Sequence, residues 1–353
     1  MGAILALFFC VSVTTLAHAQ PEEASTTLIS SRAVALNPQT GKVYAVETSR
    51  SAVLVFDPQT KSTSSVRVGA GPVAIAVNAA TDRIYVANSE GGSVSVIDGK
   101  NDSVFTTLNV GPLPYVVAVN PATNRIYVSN TFSDVITVID GATNSTATVK
   151  AGSADAIAED SKLDKVYLLG YEDINLTVLD SMPSIVGKLP VGMHLWGMAL
   201  NEATSTLYVT RSGNSELVAL DEVSGLVTTI PTGAIPCAVA VNPVTNFVYV
   251  ANHGDDTVTV IDGKKRTVVA TVTVGQRPQA VAVDPKTNRV YVANTHSNDV
   301  TVIDGARNSV LKTLHAARNP YALVVDPNSG QLYVASYGEP ALAVMTQVEQ
   351  GAR

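Results

Sequence analysis

A tyrosine returns along this chain at an almost fixed interval. Tyr44, Tyr85, Tyr127, Tyr167, Tyr208, Tyr249, Tyr291 and Tyr333 are separated by 41, 42, 40, 41, 41, 42 and 42 residues. Thirteen residues after each of the first seven stands an aspartate: Asp57, Asp98, Asp140, Asp180, Asp221, Asp262 and Asp304. A period of this length marks a repeat architecture, in which each unit is one supersecondary motif that buries its apolar face only by stacking on the next. Within a period the sequence breaks into four short runs rich in β-branched residues, such as Ile75 to Val77, Arg83 to Ala87, Val94 to Ile97 and Val104 to Val110. Turn dipeptides punctuate them, among them Asn120-Pro121, Asp98-Gly99 and Gly111-Pro112. No stretch sustains a helical period. Four strands per forty-odd residues predict an all-β chain folded as a single β-propeller of eight four-stranded blades.

Each residue class has a physical task in that arrangement. The first run of a blade is small and apolar (Ala74 to Val77, Val116 to Val119, Ala238 to Val241, Ala280 to Val283), as strands converging on an axis require. The last run is expected to be the polar, alternating outer edge that resists pairing with other sheets. The repeated aspartate is expected to bond its own turn backbone. The tyrosines are expected to form the core between blades. Seven repeats supply four strands each, and the eighth, Tyr321 to Thr346, supplies three. Ser25 to Ile29 resembles the missing outer strand, so an N-terminal segment pairing into the last blade would close the ring.

Residues 1–19 read as a signal peptide, with an apolar run from Ala3 to Leu16 and Ala17-His18-Ala19 ahead of the cleavage point, which leaves residues 20–353 as the propeller. A periplasmic, secreted or cell-surface location follows, and no transmembrane segment is expected in the mature chain. Cys237 is then the lone thiol of the mature protein, expected to be buried and inert. Two cysteines make neither a zinc cluster nor a disulfide framework. A net charge of −7 with no basic run gives no reason to expect nucleic-acid binding.

Tyr85-Val86-Ala87-Asn88, Tyr127-Val128-Ser129-Asn130, Tyr208-Val209-Thr210-Arg211, Tyr249 to Asn252 and Tyr291 to Asn294, each followed by a turn like Val-Ile-Asp-Gly, recur in phase over nearly the whole mature chain. In this the sequence resembles the YVTN-repeat β-propellers of bacterial and archaeal surface-layer and periplasmic proteins. The resemblance implies a fold and a place outside the cytoplasm, and it carries no catalytic residue. Such propellers are often seven-bladed, so seven is the alternative count, with one repeat left outside the ring.

One face of the predicted propeller varies. Five residues before each inner-strand Asn or Asp, at the mouth of the central channel, stand Arg32, Val73, Tyr115, Asp155, Trp196, Cys237, Gln279 and Tyr321. A purely structural requirement would repeat one residue type, so this ring is the expected ligand-contact surface. Nearby loops add Tyr171, Glu172, His194, Arg211, His253, His296 and Tyr337, and repeats four and five depart most from the pattern. The ligand-binding set is therefore Arg32, Tyr115, Asp155, Trp196, Gln279, Tyr321, Tyr171 and Arg211. No metal and no cofactor is expected; His253 and His296 could share an ion only with a third ligand, and solvated loop histidines are the simpler reading. Enzyme motifs are absent: no Gly-x-Ser-x-Gly, no phosphate loop, no His-Glu-x-x-His. The sequence thus points to a monomeric binding module that takes a protein, glycan or small ligand at the channel mouth. The alternative is a lactonase-like hydrolase at the same mouth, with Asp155 and His194 as its acid–base pair.

Overall fold

The computed structural model describes residues 33–180, 182–337 and 342–345. Within them lie eight antiparallel sheets, seven of four strands and an eighth of three. The sheets begin at Val34, Pro72, Pro114, Ala156, Leu195, Pro236, Pro278 and Pro320, and they stand around a common axis as eight blades. Seven blades would have left one repeat outside the ring, and none is outside. The inner strands touch in succession, blade one against blade two and, across the closure, against blade eight. The predicted signal peptide and the proposed closing strand at residues 25–29 lie outside the described residues.

Apolar packing joins the blades in pairs. Tyr85 and Val94 of blade two pack with Val117, Ile126 and Val128 of blade three, and the same arrangement repeats around the ring. The eight periodic tyrosines are all at most 2% exposed. The last joint is built like the others: Tyr321, Ala322 and Tyr333 of blade eight share a cluster with Ala33, Val34 and Tyr44 of blade one. Asn328 Nδ2 also donates to the Pro38 carbonyl at 3.0 Å. Burial of this much apolar area between every pair of blades is what compensates for closing so many non-local contacts.

Polar side chains act locally. Asp140 Oδ1 accepts the N–H groups of Ala142 and Thr143 at 2.9 and 3.0 Å, and Asp262 Oδ1 those of Lys264 and Lys265, both at 3.0 Å. The thirteen-residue offset from the tyrosine thus marks Asx turns, as expected. A second set, at the end of the inner strands of blades one, two, five and six, does more. Asn78 Oδ1 accepts the Ala80 N–H at 3.1 Å, while its Nδ2 crosses to the next blade and donates to Asn124 Oδ1 at 2.8 Å. Asn37 to Asp82, Asn201 to Asn246 and Asn242 to Asn288 repeat this clasp at 2.7–2.8 Å. The accepting residues have φ between 52° and 57°, a left-handed conformation that Asn and Asp tolerate better than other side chains.

Four of the outer strands depart from the expected polar edge, which the strands Ser62–Arg67 and Thr146–Lys150 keep. The four expose apolar pairs, Val104 and Phe105, Ile185 and Val186, Val268 and Val269, Val310 and Leu311. Pairing skips Phe105, Val186, Val269 and Leu311, because the register shifts at those points. In these four a bulge, rather than polarity, interrupts the edge and twists it away from a flat template.

Candidate functional site at the channel mouth

The variable ring owes its geometry to a second set of bulges. In blade three Pro114 pairs with Asn130 and Val116 with Ser129, so Tyr115 has no partner. Val73, Cys237, Gln279 and Tyr321 are skipped in the same way, and in blade five both Trp196 and Gly197 are skipped. A bulged residue leaves the pleat and its side chain is re-aimed. Immediately before the proline or leucine that opens each of these strands stand Gly71, Leu113, His194, Ile235, Arg277 and Asn319, all with φ between 51° and 62°. For Ile235 and Arg277 this conformation is strained, and strain of this kind gathers where loops are positioned for function.

The ring is not uniformly accessible. Val73, Cys237 and Tyr321 are only 1%, 4% and 7% exposed, while Tyr115, Asp155, Trp196 and Gln279 are half-buried. Arg32 lies outside the described residues. The Cys237 thiol donates to the Pro278 carbonyl at 3.2 Å and is buried, as expected for it. Tyr321 stacks on Tyr337 with centroids 4.5 Å apart, and Tyr337 is 56% exposed, so the pair reaches the surface through the second ring.

Blades four and five bring an aromatic group together. Tyr171 meets Trp196 edge-on at 5.6 Å and His194 at 5.6 Å. Trp196 rests on Cys237, Ala238 and Ala251 of blade six. Asp155 holds the Tyr171 loop in place, its Oδ2 accepting the Tyr171 N–H at 2.7 Å. Burial raises the Asp155 carboxyl above the ordinary aspartate range, the Tyr171 N–H works against this, and Asp173 and Glu172 add to the rise. Tyr115 is pushed up to about 12 by burial first and then by Asp155 and Tyr337. Its hydroxyl therefore lies in the field of both neighbours.

Arg211 is more committed than the sequence suggests. In regular blades its position holds an Asn that staples the second strand to the third: Asn252 Nδ2 donates to Thr257 Oγ1 and Thr259 Oγ1 at 3.0 and 2.8 Å. Arg211 performs the same task through Glu216, Nη1 to Oε2 at 2.8 Å. Among the described residues, no group of three or more His, Cys, Asp or Glu that could hold an ion includes His253 or His296. His253 is buried, its Nδ1 lies 3.3 Å from the Pro278 carbonyl, and its Nε2 lies 3.1 Å from Arg277 Nη1. Burial, then Arg277, lowers it to about 4. Arg277 is the mouth residue that sequence reasoning passed over. The signal was present in the position before the proline, which varies as freely as the ring itself.

Comparisons with known proteins bear on the fold. A family model matches part of the chain. Residues 197–317 match the model described as lactonase, 7-bladed beta-propeller, a span of roughly a third of the sequence that covers most of blade five and all of six and seven. No curated protein matches. Among solved structures, hydrazine synthase of Kuenenia stuttgartiensis is similar with a TM-score of 0.64 and 19% identity, over 82% of this chain and 99% of that one. Dihydro-heme d1 dehydrogenase NirN, solved in complex with DHE, is similar with a TM-score of 0.71 and 13% identity, over 88% of this chain and 73% of that one. At these identities the likeness is one of fold. Among the described residues no helix is long and apolar enough to cross a membrane.

Proposed function

We propose that the chain is an extracytoplasmic binding module of the YVTN-repeat type that takes its ligand, a protein, a glycan or a small molecule, at the channel mouth. The observation that carries this reading is the inner-strand bulge, which turns Tyr115, Trp196 and Gln279 out of pairing, together with the Tyr171, His194 and Trp196 group beside it. Aromatic faces over a concave polar surface suit a sugar ring or an apolar side chain. The place outside the cytoplasm rests on the N-terminal apolar run and on the repeat resemblance. Trp196 is the one tryptophan of the sequence, so its emission reports on the site directly. In a screen of glycans, peptides and small metabolites, at least one class should change Trp196 emission saturably and lose affinity in Trp196→Ala. A screen that leaves the emission unmoved, with every detected association intact in Trp196→Ala, overturns the reading.

A hydrolase at the same mouth is the second reading, favoured by the lactonase-model match and by the raised Asp155 carboxyl. The matched residues include neither Asp155 nor His194, so the acid–base pair would stand outside the matched span. Hydrolysis of a lactone panel that is abolished by Asp155→Asn supports this reading, and activity unaffected by that change removes it.

A further inference from the structure

The channel mouth, taken above as the ligand surface, gathers aromatic rings around the half-buried Asp155 carboxylate. Tyr171 and Trp196 meet at 5.6 Å with their planes 87° apart, which makes two walls of a corner. Tyr115 stands one blade away on the ring, packed against the joint of blades three and four that Ala154 helps to form. Asp155 and Tyr337 both act on the Tyr115 hydroxyl, so the wall continues towards blade eight, where Tyr337 stacks on Tyr321 at 4.5 Å. The corner is built in advance. Asp155 Oδ2 accepts the Tyr171 N–H at 2.7 Å, and the His194 N–H donates to the Tyr171 carbonyl at 2.9 Å. Both main-chain groups of Tyr171 are thereby held, one from its own blade and one from the loop that enters the next. Trp196 rests on blade six.

The charge around this corner favours one kind of ligand. Besides its own burial, the groups that act on Asp155 are the Tyr171 N–H, Asp173 and Glu172; among the described residues two further acids press on it and no cation does. Arg211, the nearest cation of the ring by sequence, is held by Glu216 at 2.8 Å. Glu172 is exposed at the rim, and the net charge of −7 draws cations towards the chain. A desolvated carboxylate attracts positive charge directly, and ring faces attract it through their quadrupoles. An anion would be repelled here, and a neutral sugar would leave the field unused. One Asp155 oxygen is already spent on Tyr171, so a primary ammonium, with three donors to satisfy, would be poorly served. A fully alkylated nitrogen brings no donor and presents its charge through methyl groups that pack on the rings.

We propose that the channel mouth selects a small organic cation with an alkylated ammonium head, seated in the corner of Tyr171 and Trp196, with Tyr115 as a further ring face and Asp155 as its counter-ion. The proposal rests on the reading of the mouth as the ligand surface and names the ligand class for it. Asp155 then has two tasks: Oδ2 fixes the Tyr171 loop, and the charge of the group balances the ligand.

The test titrates the full chain at constant ionic strength with tetramethylammonium, with choline and with the neutral isostere of choline in which carbon replaces the nitrogen, reading Trp196 emission. A saturable change with at least one of the two cations is expected, and binding of the isostere about ten-fold weaker than that of choline. Asp155→Asn keeps an oxygen for the Tyr171 N–H and removes the charge, so it should weaken cation binding about ten-fold. Tyr115→Leu should weaken it by about three-fold, as loss of one ring face implies. A thermal midpoint no lower than that of the wild type shows that a variant is folded, and where Tyr115→Leu lowers it, Asp155→Asn decides. Equal binding of choline and its isostere, cation affinity unchanged in Asp155→Asn, or no saturable response to either cation overturns the proposal. Failure of the mouth itself looks different. A sugar or peptide that still moves Trp196 emission leaves the mouth as the ligand surface for another class, whereas emission that no ligand moves removes both readings.

Discussion

The joint between blades six and seven and the joint between blades four and five occupy equivalent places and solve the same problem with different chemistry. At the first, Asn242 Nδ2 donates to Asn288 Oδ1 at 2.7 Å. Gly305 lies so close to Tyr249 that a Cβ there would stand 2.8 Å from its hydroxyl oxygen. At the second, Asp160 takes the place of Asn242, Ser205 that of Asn288, and Glu222 that of Gly305. Asp160 Oδ1 accepts the Lys162 and Leu163 N–H groups, both at 2.8 Å, and the Glu222 carboxyl is shut away beside Asp160 and Tyr167. An amide brings its own proton to the clasp; two acids must hold one between them. Burial and then hydrogen bonding to Asp160 raise Glu222 to about 7, with Tyr167 and Lys165 pulling the other way. The Asn242–Asn288 clasp therefore carries no titrating group, and the Asp160–Glu222 pair that replaces it does.

The comparison breaks first if the tyrosine layer is not the common foundation of both joints. Tyr249→Ala and Tyr167→Ala should each cost about 3–5 kcal/mol, as for other large buried aromatics, read as a fall in the denaturant midpoint; a negligible shift in either would show that the clasps hold the blades without the apolar layer. Next comes pH. Glu222 binds its proton more tightly in the folded chain than in the unfolded one, where its ordinary value is about 4.5. Its favourable contribution is thus complete below that value and is lost as pH rises through about 7. Discounted for partial solvent access, the loss should be of order 2 kcal/mol. Measured from pH 4.5 to 8, the wild-type unfolding midpoint should fall relative to that of Glu222→Gln, a difference that leaves out the rise with pH which buried His253 adds to both chains. A smaller effect is expected at the regular joint: Asn242→Ala leaves Asn288 Oδ1 without its donor and should cost about 1.5 kcal/mol, equally at either end of the pH range.

The ring and its turns are legible in the sequence because their causes are local. Tyr85 and Asp98 repeat because each blade needs the same inter-blade plug and the same Asx turn, and both needs are met within one period. The mouth is less legible because its form depends on pairing. That Tyr115 and Gln279 lie in bulges is a property of two strands in register, and one strand alone cannot show it. Nor does spacing reveal that Cys237 turns into the wall while Trp196 rests on it. Arg211 reads as a free mouth cation until Glu216, five residues on, is seen to hold it. Glu222 was open to discovery by a stricter reading of the repeat, since it stands where Gly99, Gly141, Gly263 and Gly305 follow the turn aspartate.

The smallest effect is the most discriminating. The Tyr249 hydroxyl is buried without a hydrogen-bond partner among the described residues, so Tyr249→Phe should change stability by less than about 0.5 kcal/mol, or increase it slightly. The Tyr167 hydroxyl instead lies beside the Glu222 carboxyl and lowers its proton affinity. Tyr167→Phe leaves the packing unchanged and removes only that hydroxyl, so Glu222 should titrate above its present value of about 7. The pH at which stability declines should move upward with it, while Tyr249→Phe leaves that midpoint where it is. Should both phenylalanine variants keep the wild-type pH curve, the Asp160 and Glu222 pair is not the source of the pH dependence, and the two joints differ in sequence but not in chemistry.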